Sequence, residues 1–319
     1  MERPQVSRKA LFLVAGFLAV SISCHNQSEA PGDKVSMMRV PTTVETFPLE
    51  SPIGPGLMTI SESEDWNGQV WVYFHGSFGN IDSWKDFYRR VTQYRTTRET
   101  EQANSSGPVI VSLSFGELWL LTPAERYDGA MTTVFSETVL PLLEDAVPPE
   151  SRYVGIGYSM GGFNLLAAYA DRPDLWSRIV LLNPALTSLS PYADSREIID
   201  YHRSSYLGFA TRIKLLAGIR EEYPIEEILR NERRFIASDA EWSIANPILR
   251  FENSSAGVSS TDTSFFLSCG KNDPYGFILG SRRLEDAIRA KTESIEANYH
   301  RAGHSFIPYA ELGTFLFDE

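Results

Sequence analysis

Cysteine is scarce in this 319-residue chain, which contains only Cys24 and Cys269. A disulfide framework is therefore excluded as the source of its stability. Basic side chains are also in the minority, because 29 Lys and Arg residues stand against 41 Asp and Glu residues and give a formal net charge of -12. The averaged field of such a chain repels polyanions, so we expect no binding of nucleic acid. With 43% apolar residues, the chain still has enough hydrophobic area for a large core.

Long hydrophobic runs are missing as well, since the apolar run from Ala10 to Val20 is too short to span a bilayer. Basic residues precede this run and small residues follow it, which predicts a signal peptide over residues 1–23. The next residue, Cys24, makes this segment resemble the lipobox of bacterial lipoproteins, in which the thiol is acylated and becomes the new N-terminus. Ser21 departs from that pattern, because such boxes usually carry Leu three places before the cysteine. An ordinary secretory signal is the alternative.

The predicted mature chain begins with a polar tether and continues into a folded body. Residues 24–43 would form the lipidated cysteine and a flexible tether, and residues 44–319 the body. A lipid at Cys24 would hold the protein at a membrane of the bacterial cell envelope, on its extracytoplasmic side.

From residue 44 onward, short β-rich runs alternate with helical patterns, which predicts an α/β fold with a mostly parallel sheet and helices on both faces. The runs Val44–Phe47 and Leu57–Ser61 are typical of edge strands, and Ser83 is predicted to cap the first helix. The alternation of strand and helix patterns stops at about residues 185–261, where helical patterns follow each other without a convincing strand. We interpret this segment as a helical cap inserted between two strands.

A predicted strand at Tyr153–Ile156 leads directly into the sequence from Gly157 to Gly161, and a predicted helix follows. This sequence has the form Gly-x-Ser-x-Gly in a strand-turn-helix setting, which indicates a nucleophile elbow with Ser159 as the nucleophile. The glycines at Gly155, Gly157 and Gly161 also fit a loose dinucleotide-binding pattern. That interpretation is disfavoured, because several strands come first and no acidic residue ends the next strand.

Hydrolases with this elbow place an acid and then a histidine later in the chain. His304 lies in a loop after the last predicted strand and is the favoured base; His300, at the strand end itself, is the alternative and more simply explained by a structural hydrogen bond. Asp273 follows the buried strand that ends near Cys269 and is the favoured acid. An Asx-Pro turn would also explain Asp273, and Asp262 is a second candidate for the acid.

The developing oxyanion needs two donors, one of which is the N–H of the residue after the nucleophile, here Met160. The second donor is predicted in the segment that starts with His75, where a strand runs into small residues. The N–H of Ser77 is the first choice, with Phe78 or Gly76 as alternatives. His75 itself is expected to have a structural role.

Together these segments resemble the α/β-hydrolase superfamily, and within it the esterase group that includes esterase D-like and feruloyl esterase-like serine hydrolases. The residues that carry the resemblance are Val72–Ser77, Gly157–Gly162, Gly270–Pro274 and Gly303–Phe306. The resemblance covers about residues 44–184 and 262–317, and it fades across the predicted cap. It implies hydrolysis of carboxylic esters, small or polymer-linked, through an acyl-enzyme intermediate, with no metal and no organic cofactor. No His, Cys and Asp cluster has the spacing of metal ligands.

Two other functions stay open at this point. Acyl transfer to an acceptor other than water would use the same three residues, Ser159, Asp273 and His304. A non-catalytic binding lipoprotein on a hydrolase scaffold is the second alternative, but a scaffold kept only for binding would not need all three.

Overall fold

The computed structural model describes residues 40–51, 55–94, 106–116, 134–205, 224–253, 263–292 and 294–317. The predicted signal peptide, Cys24 and most of the predicted tether lie outside the described residues. Asp262 and residues 206–223 and 254–261 of the predicted cap lie outside them too.

Within the described residues, one sheet contains the strands β1 (Thr42–Leu49), β2 (Gly56–Glu62), β3 (Asp65–Phe74), β4 (Ser106–Ser114), β5 (Arg152–Tyr158), β6 (Trp176–Leu182), β7 (Ser264–Gly270) and β8 (Ile295–His300). Their order across the sheet is β1-β2-β4-β3-β5-β6-β7-β8. Only the β1-β2 and β2-β4 pairs are antiparallel. The other five pairs are parallel, so the prediction of a mostly parallel sheet is confirmed.

The helices of the described residues are α1 (Trp84–Thr92), α2 (Leu140–Ala146), α3 (Met160–Asp171), α4 (Ser195–Ser204), α5 (Pro224–Glu232), α6 (Asp239–Ala245), α7 (Pro247–Asn253), α8 (Ile278–Arg289) and α9 (Tyr309–Phe317). A π-helical turn at Phe135–Val139 leads into α2, and a 3₁₀ turn at Pro173–Leu175 follows α3. In the part of the chain that the structure describes, no helix has the length and apolar character needed to cross a membrane.

The core consists of two hydrophobic clusters on opposite faces of the sheet. Side chains alternate along β3, so Val70, Val72 and Phe74 join one cluster while Trp71 and Tyr73 join the other. The first cluster includes residues of α2, α3 and α8, and the second includes residues of α1 and α9. Helices therefore cover both faces, as expected for strands that are buried on both sides.

Two local predictions are wrong. The run Leu57–Ser61, expected at an edge, lies within β2, which pairs with β1 on one side and β4 on the other. Ser83 makes no side-chain cap at α1, because its backbone already has helical angles and its hydroxyl accepts a hydrogen bond from the N–H of Asn80 at 2.9 Å. An amino-acid pattern alone does not distinguish these local geometries.

The described part of the predicted cap, residues 185–205 and 224–253, contains helices α4 to α7, joined by loops, and no strand. Its last helix, α7, does not stand apart from the sheet. The ring of Phe251 lies 5.8 Å from that of Tyr169 in α3, and Arg250 forms an ion pair with Asp171. The end of the insertion thus packs beside the helix that follows Ser159.

Candidate active site

Ser159 occupies the turn between β5 and α3, with a strained backbone of φ 53° and ψ -117°. Hydrogen bonds of the Ser159 backbone hold this conformation. The N–H of Ser159 donates to the carbonyl of Leu182 at 3.0 Å, and its carbonyl accepts from the N–H of Gly162 at 2.9 Å. The side chain therefore projects from the carboxyl end of the sheet at the beginning of a helix, which is the placement expected of a nucleophile elbow.

The glycines on either side of Ser159 are required by close backbone contacts. A Cβ at Gly157 would lie 2.4 Å from the carbonyl oxygen of Gly161, and a Cβ at Gly161 would lie 1.9 Å from that of Phe74. Real Cβ atoms do not approach backbone so closely. The glycine pattern is thus explained by the packing of the elbow, without any role in binding a dinucleotide.

The structure brings Ser159, His304 and Asp273 together in one chain of hydrogen bonds. The Nε2 atom of His304 lies 2.9 Å from the Oγ of Ser159, and its Nδ1 atom lies 2.7 Å from Oδ2 of Asp273. A carboxylate only accepts, so Nδ1 carries the proton and Nε2 is free to accept from the serine hydroxyl. This is the tautomer that a general base next to a serine needs.

Asp273 is fixed in the loop after β7 as an acceptor. Its Oδ2 accepts from His304, and its Oδ1 accepts from the N–H of Tyr275 at 2.8 Å. The side chain of Asp273 has no exposed surface, whereas 18% of the His304 side chain is exposed. The acid is therefore shielded from water, and the base is open on one side to an incoming substrate.

Three aromatic rings surround the imidazole of His304. The rings of Tyr158, Tyr275 and Phe277 lie 5.7, 5.1 and 5.6 Å from it. The hydroxyl of Tyr158 also donates to the carbonyl of His304 at 3.3 Å. Sequence reasoning did not assign these rings, since aromatic residues near motif positions are more often simple core residues.

The alternative base, His300, is not part of this chain of hydrogen bonds. Its ring packs against Phe306 at 4.4 Å, and neither ring nitrogen has a hydrogen-bond partner among the described residues. Burial accordingly lowers the pKa of His300. The prediction that the side chain of His300 makes a structural hydrogen bond is therefore wrong. Its ring makes a packing contact with Phe306 instead.

The two predicted oxyanion donors lie in segments that flank Ser159. Met160 begins α3, and no described residue accepts a hydrogen bond from its N–H or from that of Ser77. The Ser77 segment approaches the elbow, because a Cβ at Gly76 would lie 2.7 Å from the ring of Tyr158. Phe78, in the same turn, has a φ of 64° and a side chain that is 77% exposed. The N–H groups of Met160 and Ser77, which have no acceptor among the described residues, are suited to a developing negative charge.

His75 supports the turn that contains Ser77. Its Nδ1 lies 2.7 Å from the carbonyl oxygen of Gly76, so this nitrogen donates, and Nε2 accepts from the hydroxyl of Ser114 at 2.8 Å. Burial lowers the pKa of His75, which keeps the ring neutral. Both nitrogens are thus engaged in structural bonds.

Cys269 is buried in β7, where burial raises the pKa of its thiol to about 12, so it is unsuited to act as a thiolate. The described residues contain no group of three or more His, Cys, Asp or Glu side chains that could hold a metal ion.

Comparison of the sequence with known protein families and with curated proteins finds no match. Solved structures, however, are similar. Carboxyl esterase 2 from the mycorrhizal fungus Tuber melanosporum aligns with a TM-score of 0.56 and 15% identity over 98% of each chain. An S-formylglutathione hydrolase from Agrobacterium tumefaciens aligns with a TM-score of 0.51 and 14% identity, over 87% of this chain and 96% of that one. A ferulic acid esterase gives a TM-score of 0.52 and 13% identity over the same shares.

At such low identity the similarity establishes the arrangement of the chain and not its chemistry. It agrees with the strand order and with the helices on both faces of the sheet. The chain therefore has the α/β-hydrolase fold.

Proposed function

We propose that this protein is a serine hydrolase that cleaves carboxylic esters through Ser159, His304 and Asp273. The observation that carries the proposal is the pair of hydrogen bonds that joins these side chains, 2.9 Å from His304 to Ser159 and 2.7 Å from His304 to Asp273. The position of Ser159 at the elbow adds support, because its strained backbone is what a nucleophile elbow requires.

In the proposed reaction, the Oγ of Ser159 attacks the ester carbonyl while its proton passes to Nε2 of His304. The carbonyl oxygen gains negative charge and accepts hydrogen bonds from the N–H groups of Met160 and Ser77. The charge on Asp273 stabilises the imidazolium that forms. His304 then gives the proton to the departing alkoxide, which leaves as the alcohol.

The acyl-enzyme is hydrolysed by the same groups in reverse order. His304 removes a proton from a water molecule, the resulting hydroxide attacks the acyl carbon, and Ser159 recovers its proton as the carboxylic acid leaves. Acyl transfer differs only in that an alcohol or amine replaces this water.

Labelling with a fluorophosphonate tests the proposal, because such reagents phosphonylate an activated serine. We expect stoichiometric labelling of the wild type at Ser159 and none of Ser159→Ala, whose turnover of p-nitrophenyl esters should fall by about 10³-fold or more. If the folded wild type neither reacts with the fluorophosphonate nor hydrolyses any ester in a panel of p-nitrophenyl esters, the protein is better described as a binding protein.

The same panel, with acyl chains of different lengths, identifies the acyl group that the site prefers. Adding a primary alcohol to the assay separates hydrolysis from transfer. If the alcohol ester forms faster than the free acid, an acyltransferase is the better description.

We further propose that Cys24 carries lipid and tethers the enzyme to an extracytoplasmic face of a bacterial envelope membrane. The sequence pattern around Ala10–Val20 and Cys24 supports this, and a terminus carrying more than one acyl chain remains stably in a membrane leaflet. Cys24→Ser should release soluble protein or stop processing, as measured by membrane fractionation. Identical recovery of both proteins in the soluble fraction would remove the proposal.

A further inference from the structure

The four residues 182–185 at the end of β6 contact the segments that carry all three members of the proposed triad. On the nucleophile side, Leu182 accepts a hydrogen bond from the N–H of Ser159 at 3.0 Å, and the N–H of Ala185 donates to the carbonyl of Ser159 at 2.9 Å. Both backbone groups of the nucleophile are therefore held by this short segment.

Asn183, within the same segment, binds the other two loops through its side chain. Its Oδ1 accepts from the N–H of Gly270 at 2.9 Å, and its Nδ2 donates to the carbonyl of Phe306 at 2.7 Å. Asn183 has no exposed surface. Buried amide groups that are bonded at both ends fix the distance between their partners.

Each partner of Asn183 belongs to a loop that carries a triad residue. The carbonyl of Gly270 accepts from the N–H of Asp273 at 3.2 Å, and Phe306 follows His304 by two residues. The acid and base loops also bind each other, since the N–H of Asn272 donates to the carbonyl of Ala302 at 3.1 Å. Through its side chain, Asn183 thus links the two loops that carry Asp273 and His304 to the segment 182–185, which holds Ser159.

The backbone of Asn183 gives independent support. Its φ is 44°, a left-handed conformation that glycine adopts at the lowest cost and that asparagine tolerates better than most residues. Its N–H donates to the carbonyl of Ser268 at 2.7 Å. Glycine could form this turn without a side chain, so the turn alone does not explain an asparagine at position 183. The two side-chain hydrogen bonds do.

We propose that Asn183 is a positioning residue that sets the His304–Asp273 pair at the correct distance from Ser159. The inference rests on the proposed function, because it concerns the alignment of the same three residues. Small displacements between a nucleophile and its base reduce the rate steeply, by roughly 10²-fold for about 1 Å.

Asn183→Gly is the informative variant, because it removes both side-chain bonds and keeps a residue suited to positive φ. Asn246 provides a matched control. It is also buried, its Nδ2 donates to the carbonyl of Thr187 at 2.9 Å, and its Oδ1 accepts from the N–H of Ile248 at 2.9 Å. Asn246→Gly therefore loses the same two kinds of bond, and a longer one from the N–H of Leu249 at 3.4 Å, outside the triad loops.

Melting temperature, kcat and KM for a p-nitrophenyl ester, and the rate of fluorophosphonate labelling should be measured for both variants well below their melting temperatures. Both should melt earlier than the wild type. Only Asn183→Gly should lose kcat and labelling rate, by roughly 10- to 100-fold, while KM changes little. A residue with a structural role alone would leave kcat unchanged in the folded protein.

Asn183→Asp keeps the acceptor for Gly270 but turns an oxygen toward the carbonyl of Phe306, so it should also lose kcat; it serves as the test if Asn183→Gly does not fold. Unchanged kcat in a folded Asn183 variant, or an equal loss in Asn246→Gly, would overturn the proposal. In those cases the wild type still reacts with the fluorophosphonate, whereas a wild type without labelling or turnover would remove the proposed function and this inference together.

Discussion

Asp273 and Asn183, beside the proposed nucleophile, differ from Glu232 in the helical insertion in the hydrogen bonding of their buried side chains. At the end of the sheet, Asp273 and Asn183 are buried and each makes hydrogen bonds at both side-chain ends. In the insertion, Glu232 at the end of α5 has no exposed surface, and neither of its oxygens has a hydrogen-bond partner among the described residues. Burial raises the pKa of Glu232 well above its ordinary value.

The difference shows where precise geometry is required. A buried acceptor without a partner costs about 1–3 kcal/mol, and the insertion carries that cost at Glu232. Around Ser159 the same kind of defect would also misalign reacting atoms, where small errors are multiplied in the rate. Full hydrogen bonding of Asp273 and Asn183 therefore matters for the proposed reaction as well as for stability.

The largest expected effect is at Asp273. Asp273→Asn keeps the shape of the loop but lets Nδ1 of His304 act as acceptor, so Nε2 would carry the proton and could not take one from Ser159. We expect kcat to fall by about 10⁴-fold with little change in KM. Circular dichroism should show equal folding. Asp262→Asn is the control, and a larger loss there than at Asp273 would show that the acid has been assigned to the wrong residue.

The second largest effect is expected at Gly161, where an added methyl group tests whether the elbow tolerates a change in packing. Gly161→Ala would place a methyl group 1.9 Å from the carbonyl oxygen of Phe74, so the backbone must move. We expect a loss of roughly 3 kcal/mol in the free energy of unfolding, measured by urea titration. In Gly303→Ala the nearest atom is Asn272 O at 3.8 Å, and its stability should stay within about 0.5 kcal/mol of the wild type. Equal losses would contradict this picture.

The third largest effect is expected at Glu232 in the helical insertion, where it concerns the dependence of stability on pH. Since the pKa of Glu232 is higher in the folded than in the unfolded protein, its contribution to stability is complete below the unfolded pKa and is lost as pH rises through the folded pKa. Glu232→Gln should remove this loss. Its advantage in free energy of unfolding over the wild type should grow by about 1.4 kcal/mol per pH unit as pH rises from the unfolded toward the folded pKa of Glu232.

Denaturant titrations from acid to neutral pH measure the difference between Glu232→Gln and the wild type. Glu227→Gln, an exposed position on the same helix, is the control and should leave the pH dependence unchanged. If the difference between wild type and Glu232→Gln is the same at every pH, the carboxyl is not buried as described.

The smallest effect is expected at Tyr201, where the helical insertion contacts the loop that carries Asp273. The hydroxyl of Tyr201 in α4 donates to the carbonyl of Gly276, just after Asp273, at 2.8 Å. Tyr201→Phe should cost about 1 kcal/mol of stability and lower kcat only a few-fold. Tyr192→Phe removes a bond of equal length to the carbonyl of Ile236 within the insertion and should leave kcat unchanged. A loss of kcat in both variants would mean that the whole insertion is coupled to the site.

Much of the sheet could be predicted because its strands are short apolar runs separated by helical patterns. The same holds for Ser159, since only glycine fits on either side of the elbow and this requirement is visible in the sequence. Asp273 and His304 followed from chain order, because few histidines occur late in the sequence.

The positioning role of Asn183 could not be predicted, since its partners Gly270 and Phe306 lie 87 and 123 residues away in the sequence. Its only local signal was an Asn-Pro pair after a strand, which is common in turns. The position of β2 inside the sheet was missed for a related reason, because it depends on pairing with β4 and not on the composition of β2 itself.

The distance along the chain between the triad residues has a consequence for the order of folding. Ser159 and His304 are separated by 145 residues, so the site cannot exist until β7 and β8 have joined the strands before them. Contacts between such distant residues form late, since the entropy of a long loop must be lost first. During refolding, reactivity toward a fluorophosphonate should therefore return after the helical signal, and a nascent chain should stay chemically inert until its last strand has been added.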